Sequence, residues 1–342
     1  MARSSSAWKV IGTLAVALVA GAVLLWRQLD ASLEHRSQAP EGTRIKVYAG
    51  SSLRVVLGEL ARVHALRNPR LVEWYLRLHG QPMRAQAGIY ELAAGANTRQ
   101  ILEQLRAGRV VLSQVTIVEG WSFAQLRQAL DASPDLLHVW RHLDDAALMS
   151  ALGQKGVPAE GRFFPDTYRF AAGTADRHIY ELALQGMSER LQQEWVARAS
   201  ELPMRTPREA LVLASIIEKE TGREDERAKV AAVFVNRLRL GMRLQSDPTV
   251  IYGLGTRYDG NLRRHDLETD GPFNSYTRAG LPPTPIALPG AASLHAALHP
   301  AGIDALYFVA TGAGDGSHQF SATYAQHNLA LHRFLQRTGG GK

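Results

Sequence analysis

Glu218 and Glu220 close a helix that has no polar face. From Ala210 to Ile217 every residue is small or apolar except Ser215. A helix that is apolar all round is buried, so a carboxyl at its end loses hydration. Desolvation disfavours the charged form of a carboxyl. That is what a general acid working near neutral pH requires. The negative end of the helix dipole pushes in the same direction. Glu218 stacks one turn beyond Ala214, and Glu220 one turn beyond Ile216. Periodicity alone therefore does not choose between them. The plainer alternative is a solvated Glu-Lys-Glu cluster at a fraying helix end.

A polar group follows within the next sixty residues or so. Asn236, Gln245, Ser246, Asp247 and Thr249 lie close together in sequence, and Asn274-Ser275-Tyr276-Thr277 comes after them. Neutral amides and hydroxyls of this kind make directional bonds to sugar hydroxyls and acetamido groups. Asp247 is a candidate second carboxylate for a hydrolase, but it precedes Pro248 and reads better as the cap of a turn. Glu160 and Asp166 flank the aromatic stretch EGRFFPDTYRF (160–170), where structural capping is read ahead of catalysis. Glu220 is read as a partner of Arg223 or Arg227. His295 and His299 have the i, i+4 spacing of metal ligands, but no HExxH surrounds them and no third ligand is apparent. They are read as a surface or capping pair, so no metal and no cofactor is expected. TGAGDGSH (311–318) joins two strand-like runs and reads as a hairpin loop. The chain contains no GxSxG and no P-loop motif.

The elements that must position these groups are marked by their ends. Thr206-Pro207-Arg208-Glu209 reads as an N-cap, a first-turn proline and a capping box for the helix that ends at the two glutamates. Helices are expected at about 176–199 and 225–240, the latter stopped by Gly241. Strands are expected at LYFVA (306–310) and at His318-Gln319-Phe320-Ser321, ahead of a last helix. Pro-rich LPPTPIALPG (281–290) reads as a rigid loop. Upstream, IKVYAGSSLRVVLGEL (45–60), IYELAAGANTRQILEQL (89–105) and VTIVEGWSFAQLRQAL (115–130) share one pattern. Each has a β-type run, a turn glycine (Gly50, Gly95, Gly120), an N-cap (Ser52, Asn97, Ser122) and an amphipathic helix. A helix over 68–79 begins at Asn68-Pro69 and stops at Gly80. One or two short helices are expected in 131–157. The first repeat resembles a LysM-like module, a small fold that elsewhere holds N-acetylated glycans. Simple packing is the alternative.

Length and composition bound the rest. The chain has 342 residues, 39 Lys+Arg against 32 Asp+Glu, a formal charge of +7 and no Cys. Disulfides, cysteine nucleophiles and thiolate metal sites are thereby excluded. The charge permits contact with anionic polymers or membrane surfaces, but no basic block points to nucleic acid. Val10 to Trp26 carries no charge and has Trp8 and Trp26 at its ends, which reads as an uncleaved membrane anchor. Basic residues on the two sides nearly balance, so orientation rests on the short head, 1–9, staying inside. Residues 27–43 read as a linker, 44–157 as a LysM-like and repeat-like α/β module, and 158–338 as an α+β domain that carries the chemistry.

In chain order, EGRFFPDTY, LASIIEKET, VFVNRLRLGMRLQSDPTVIYGLG, FNSYTRAGLPPTPIALPG, HPA and HQFSATYAQHN resemble the YceG-like family of endolytic murein transglycosylases. The one departure is Arg162-Phe163, where the family more often has Tyr-Leu. The resemblance implies cleavage of the β-1,4 bond between N-acetylmuramic acid and N-acetylglucosamine, without water, leaving a 1,6-anhydro end. It carries the catalytic role to Glu218, the first Glu of EKET. One carboxyl suffices when the nucleophile is the muramoyl sugar's own tethered C6 hydroxyl. Asn236, Gln245, Ser246, Asp247, Thr249, Asn274, Tyr276 and His318 are the expected substrate-binding residues. The implied partners are peptidoglycan strands, a membrane and penicillin-binding synthases, with the catalytic domain on the periplasmic side of a bacterial inner membrane. The rivals are a hydrolytic muramidase using Glu218 with Asp247, and a non-catalytic glycan-binding protein.

Overall fold

The computed structural model describes residues 4–48, 50–79 and 85–339. Gly80, the expected stop of the 68–79 helix, lies outside them. The chain forms two compact units, Met1–Ser113 with Arg169–Thr174, and Gln114–Tyr168 with Ala175–Lys342. The third repeat and the stretch 131–157 thus group with the chemistry-bearing segment.

In the first unit, α1 (Ser4–Leu33) is one continuous helix. Thr13–Leu33 is long and apolar enough to cross a membrane. The helix runs past Trp26 into the stretch expected to be a linker. Leu29 and Leu33 are buried there, and Leu33 and Ala39 join the core of this unit. The apolar side chains at 29 and 33 share one helical face, and burying them removes the freedom a linker needs.

Strand β1 (Arg44–Val47), helices α2 (Leu53–Arg62) and α3 (Pro69–Leu78), and strand β2 (Gly88–Glu91) follow. The strands pair antiparallel, with Arg44 opposite Glu91 and Val47 opposite Gly88. Alternation sends Ile45, Val47 and Tyr90 inward against Leu57, Leu60, Val72 and Leu76. Asn68 makes no side-chain cap for α3. Its amide instead reaches the hydroxyl of Ser32 on α1 at 3.4 Å. Helix α4 (Thr98–Arg106) starts from a complete capping box between Asn97 and Gln100.

Strand β3 (Leu112–Thr116) leads into the second unit and α5 (Phe123–Asp131), where Ser122 and Gln125 repeat that capping box. All three repeats fold as their pattern predicts. Gly50, Gly95 and Gly120 have positive φ. Val56, Ile101 and Leu126, then Leu60, Leu105 and Leu130, are buried.

Strand β4 (Leu136–Leu137), α6 (Asp145–Ala151), and strands β5 (Thr167–Ala171) and β6 (Thr174–Ala175) precede α7 (Asp176–Ala197). Phe163 is fully buried and stacks on Phe123 with ring centroids 5.0 Å apart. Helix α8 (Pro207–Glu220) is the centre of this unit, with every residue from Ala210 to Ile217 buried. Against it pack α7, α9 (Glu224–Arg239), α10 (Asp247–Leu254) and α12 (Ala291–Leu298), with the short α11 (Arg264–Glu268) beside α10. Thr206 caps α8, but the carboxylate of Glu209 accepts from the N–H of Arg205 rather than from Thr206. The capping box is therefore shifted by one residue. Strands β7 (Tyr307–Ala310) and β8 (His318–Ser321) form the expected hairpin, and α13 (Tyr324–Thr338) closes the chain.

Candidate active site

Helix α8 delivers its two glutamates to different places. Two residues along a helix turn the side chain by roughly 200°, so Glu218 and Glu220 point apart.

Glu218 Oε2 accepts the main-chain N–H of Gly290 at 3.0 Å. Gly290 is the N-cap of α12, the helix packed most extensively on α8. The loop that leads to it is fastened at two points. The N–H of Ile286 donates to the buried Ser215 hydroxyl at 3.0 Å, so the one polar residue in the apolar run serves as an anchor. Leu288 exchanges main-chain bonds with Gly120 and Trp121, at 2.8 and 2.7 Å. The strand-to-helix turn of the third repeat is thus fixed beside Glu218. Lys219 Nζ donates to the Gly120 carbonyl at 3.3 Å. A Cβ on Gly120 would come within 3.7 Å of Glu218 Cγ.

That turn also brings in Glu119, which the sequence reading passed over. Its carboxylate fills the space against Gly290 where any side chain would stand. Burial raises the proton affinity of Glu119, the neighbouring charge of Glu218 adds to the rise, and Arg227 opposes it. The signal was there in the repeats. The residue before the turn glycine is Ala49 and Ala94 in the first two, and Glu119 only in the third.

Glu220 lies in a second neighbourhood. Its partner is neither Arg223 nor Arg227. The hydroxyl of Ser246 donates to it, while Arg223 binds Asp225. Burial pushes Glu220 up to about 7. Ser246 and Arg237 oppose the rise, and Asp247 supports it. Four more expected binding residues gather here. Thr249 is buried and bonds the Ser246 carbonyl and the Ser275 hydroxyl, at 2.6 and 2.8 Å. Tyr276 donates its hydroxyl to Asp247, so Asp247 opens α10 without capping it. Gln245 sits at positive φ and accepts from Arg237 at 3.4 Å.

The remaining expected ligands are committed to the scaffold. Asn236 donates to the carbonyls of Ile303 and Ala305. Asn274 donates to the carbonyls of Asp266, Leu267 and Thr269, and its oxygen accepts from Tyr276 and Thr277. His318 pairs with the buried Glu226 at 2.7 Å. These side chains tie a loop, α11 and α9 to the rest of the fold.

Two other groups complete the inventory. Glu160 lines a cavity of about 850 Å³ with Ser122, Tyr252 and Thr284. It accepts from the Phe123 N–H at 3.0 Å and the Tyr252 hydroxyl at 3.2 Å, and burial lifts it to about 7. The histidine pair does have a third neighbour. Glu194 lies 2.9 Å from His295 Nδ1, and the three ligand atoms fall within 4.8 Å of one another. His299 Nε2 is taken by the Ala197 carbonyl at 2.8 Å. The cluster has the contacts of a half-exposed histidine–glutamate pair.

The model of the YceG-like family matches residues 45–333. The chain belongs to the YceG-like family. A relative from Bacillus subtilis, named endolytic murein transglycosylase, is 30% identical over 337 residues, covering 93% of this chain and 91% of that protein. A Streptococcus pneumoniae D39 protein of the same name is 25% identical over 317 residues. That match covers 82% of this chain, which spans only 56% of the streptococcal protein. The crystal structure of a yceG-like protein from Listeria monocytogenes aligns with a TM-score of 0.53 and 29% identity, over 84% of this chain and 98% of the other. For this YceG-like chain, the family match takes in both glutamates, the Gly290 turn and the whole of the third repeat.

Proposed function

We propose that the chain is a lytic transglycosylase of peptidoglycan, cleaving between N-acetylmuramic acid and N-acetylglucosamine inside glycan strands. Glu218 is the catalytic acid. It protonates the bridging oxygen as the muramoyl C6 hydroxyl attacks C1 and closes the 1,6-anhydro ring. Family membership and the names of its relatives support the reaction class. The observation that carries the residue is the seat of Glu218: half-buried just beyond the buried run Ala210–Ile217 and oriented by the N–H of Gly290. Orientation of this kind is what a proton donor needs before substrate arrives.

The βααβ arrangement of the first unit supports a LysM-like reading of that unit, with glycan strands as its ligand. The apolar length of α1 supports a single membrane anchor, with the chain beyond it periplasmic and near the penicillin-binding synthases that extrude new strands.

Glu220 is the specific alternative for the acid, because burial holds it protonated up to about pH 7. Digestion of purified murein separates the two. Glu218→Gln is expected to fold and lose turnover, and Glu220→Gln to retain it. Products of the active protein are expected to be lighter by one water than those of a muramidase. An active, folded Glu218→Gln variant refutes the assignment.

A further inference from the structure

A single-carboxyl scheme asks Glu218 to donate one proton and then collect another. The site contains a second carboxyl placed to divide that work. Strand β3 ends at Thr116, and Glu119 enters the turn just ahead of Gly120, which has positive φ. Glu119 and Glu218 both meet Gly290. Its N–H is bonded to Glu218, and the Glu119 carboxylate occupies the place where a Cβ on Gly290 would stand. Both acids belong to the same compact unit.

Three observations argue against a merely structural Glu119. Among the described residues, no hydrogen bond and no ion pair engages its carboxylate, although the turn that carries it is pinned by main-chain bonds on both sides. The two sister turns hold Gly50 and Gly95 in the same backbone conformation with alanine before the glycine, so the turn itself does not need an acid. Lys219 is bonded to the Gly120 carbonyl, and the charge of Arg227 is felt at Glu119 while its buried Nε finds no hydrogen-bond partner. That guanidinium offsets charge without locking Glu119 into an ion pair.

We infer that Glu119 is a second catalytic residue, the base that takes the C6 hydroxyl proton while Glu218 gives its own proton to the bridging oxygen. This rests on the transglycosylase reading above. The bond between the muramoyl C1 and the bridging oxygen breaks, and the C6 oxygen forms the new bond to C1. The Glu218 proton leaves with the N-acetylglucosamine hydroxyl, and the C6 proton ends on Glu119. Water then returns a proton from Glu119 to Glu218, and no other reactant is consumed. Glu119 is an exposed residue whose carboxylate lies against Gly290. Local desolvation there and the neighbouring acid raise its proton affinity, which strengthens it as a base.

The test compares the full chain with its Glu119→Gln, Glu119→Ala and Glu218→Gln variants on purified murein, recording kcat, KM and their pH dependence. Glu119→Gln is expected to keep the wild-type melting temperature and KM, and to lose kcat by about a hundredfold or more. Its pH profile is expected to lose the acid limb, because a base must be ionised and that requirement disappears with it. Added formate is expected to restore turnover to Glu119→Ala. If Glu119→Gln keeps kcat within about twofold with the acid limb intact, or formate fails to rescue Glu119→Ala, the second base is overturned. Activity in Glu218→Gln would instead sink the underlying reading, so the two failures are told apart.

Discussion

Burial sets the titration of Glu160, which stands between a main-chain N–H and the Tyr252 hydroxyl and is lifted from 4.5 to about 7. A raised carboxyl binds more protons folded than unfolded. Its stabilising contribution is complete below pH 4.5 and is lost as pH rises through about 7. Thermal melts from acid to mildly alkaline pH are expected to show the wild type losing about 3 kcal/mol relative to Glu160→Gln over this window. Equal slopes for the two proteins would contradict the burial argument. At this scale residue chemistry was legible only in part. The apolar run before EKET located both glutamates. It said nothing of Gly290, more than seventy residues away in sequence, or of which amides the fold uses up. Asn236 and Asn274 have the right chemistry for sugars, yet the carbonyls that claim them come from a loop and from the end of the short helix α11, which no periodicity describes.

Local signals were far more legible in the elements. Caps and turn glycines are short-range chemistry, so Ser52, Asn97 and Ser122 start helices where the pattern placed them. Ser122→Ala is expected to cost about 1 kcal/mol in chemical denaturation. Alanine at Gly50 or at Gly120 is expected to cost about 1 kcal/mol by the same measurement, because both have positive φ. Activity is expected to separate them. The strained turn in Gly120→Ala lies in contact with Glu218 and Lys219, so its relaxation shifts them, whereas the space around Gly50 is open. A loss of activity in both variants would argue that the turns matter only for stability. The shifted box at Glu209 shows where even a cap escapes sequence reading: its carboxylate reaches the N–H of Arg205, one residue before the N-cap, and only the local geometry decides that.

For the whole molecule, the division into units was the least legible feature. Periodicity marks where a helix is apolar but not which core receives it, so the third repeat read as a sister of the first two and packs with another unit. The same limit hid the inward turn of 27–43. A form lacking residues 1–26 is expected to melt as the full chain does. Removing residues 1–43 strips Leu33 and Ala39 from a core, and is expected to lower stability by several kcal/mol. Equal melting of the two truncated forms would show that those contacts contribute nothing.

The unbroken course of α1 into that core has a consequence for reach. As a bilayer span ending near Trp26, it leaves six residues before Leu33, a rise of about 10 Å from Trp26 to Leu33. A first unit anchored in that way would have no leash on which to wander. It would be held like a gauge close above the lipid headgroups, and any polymer it gripped would have to pass through that thin layer.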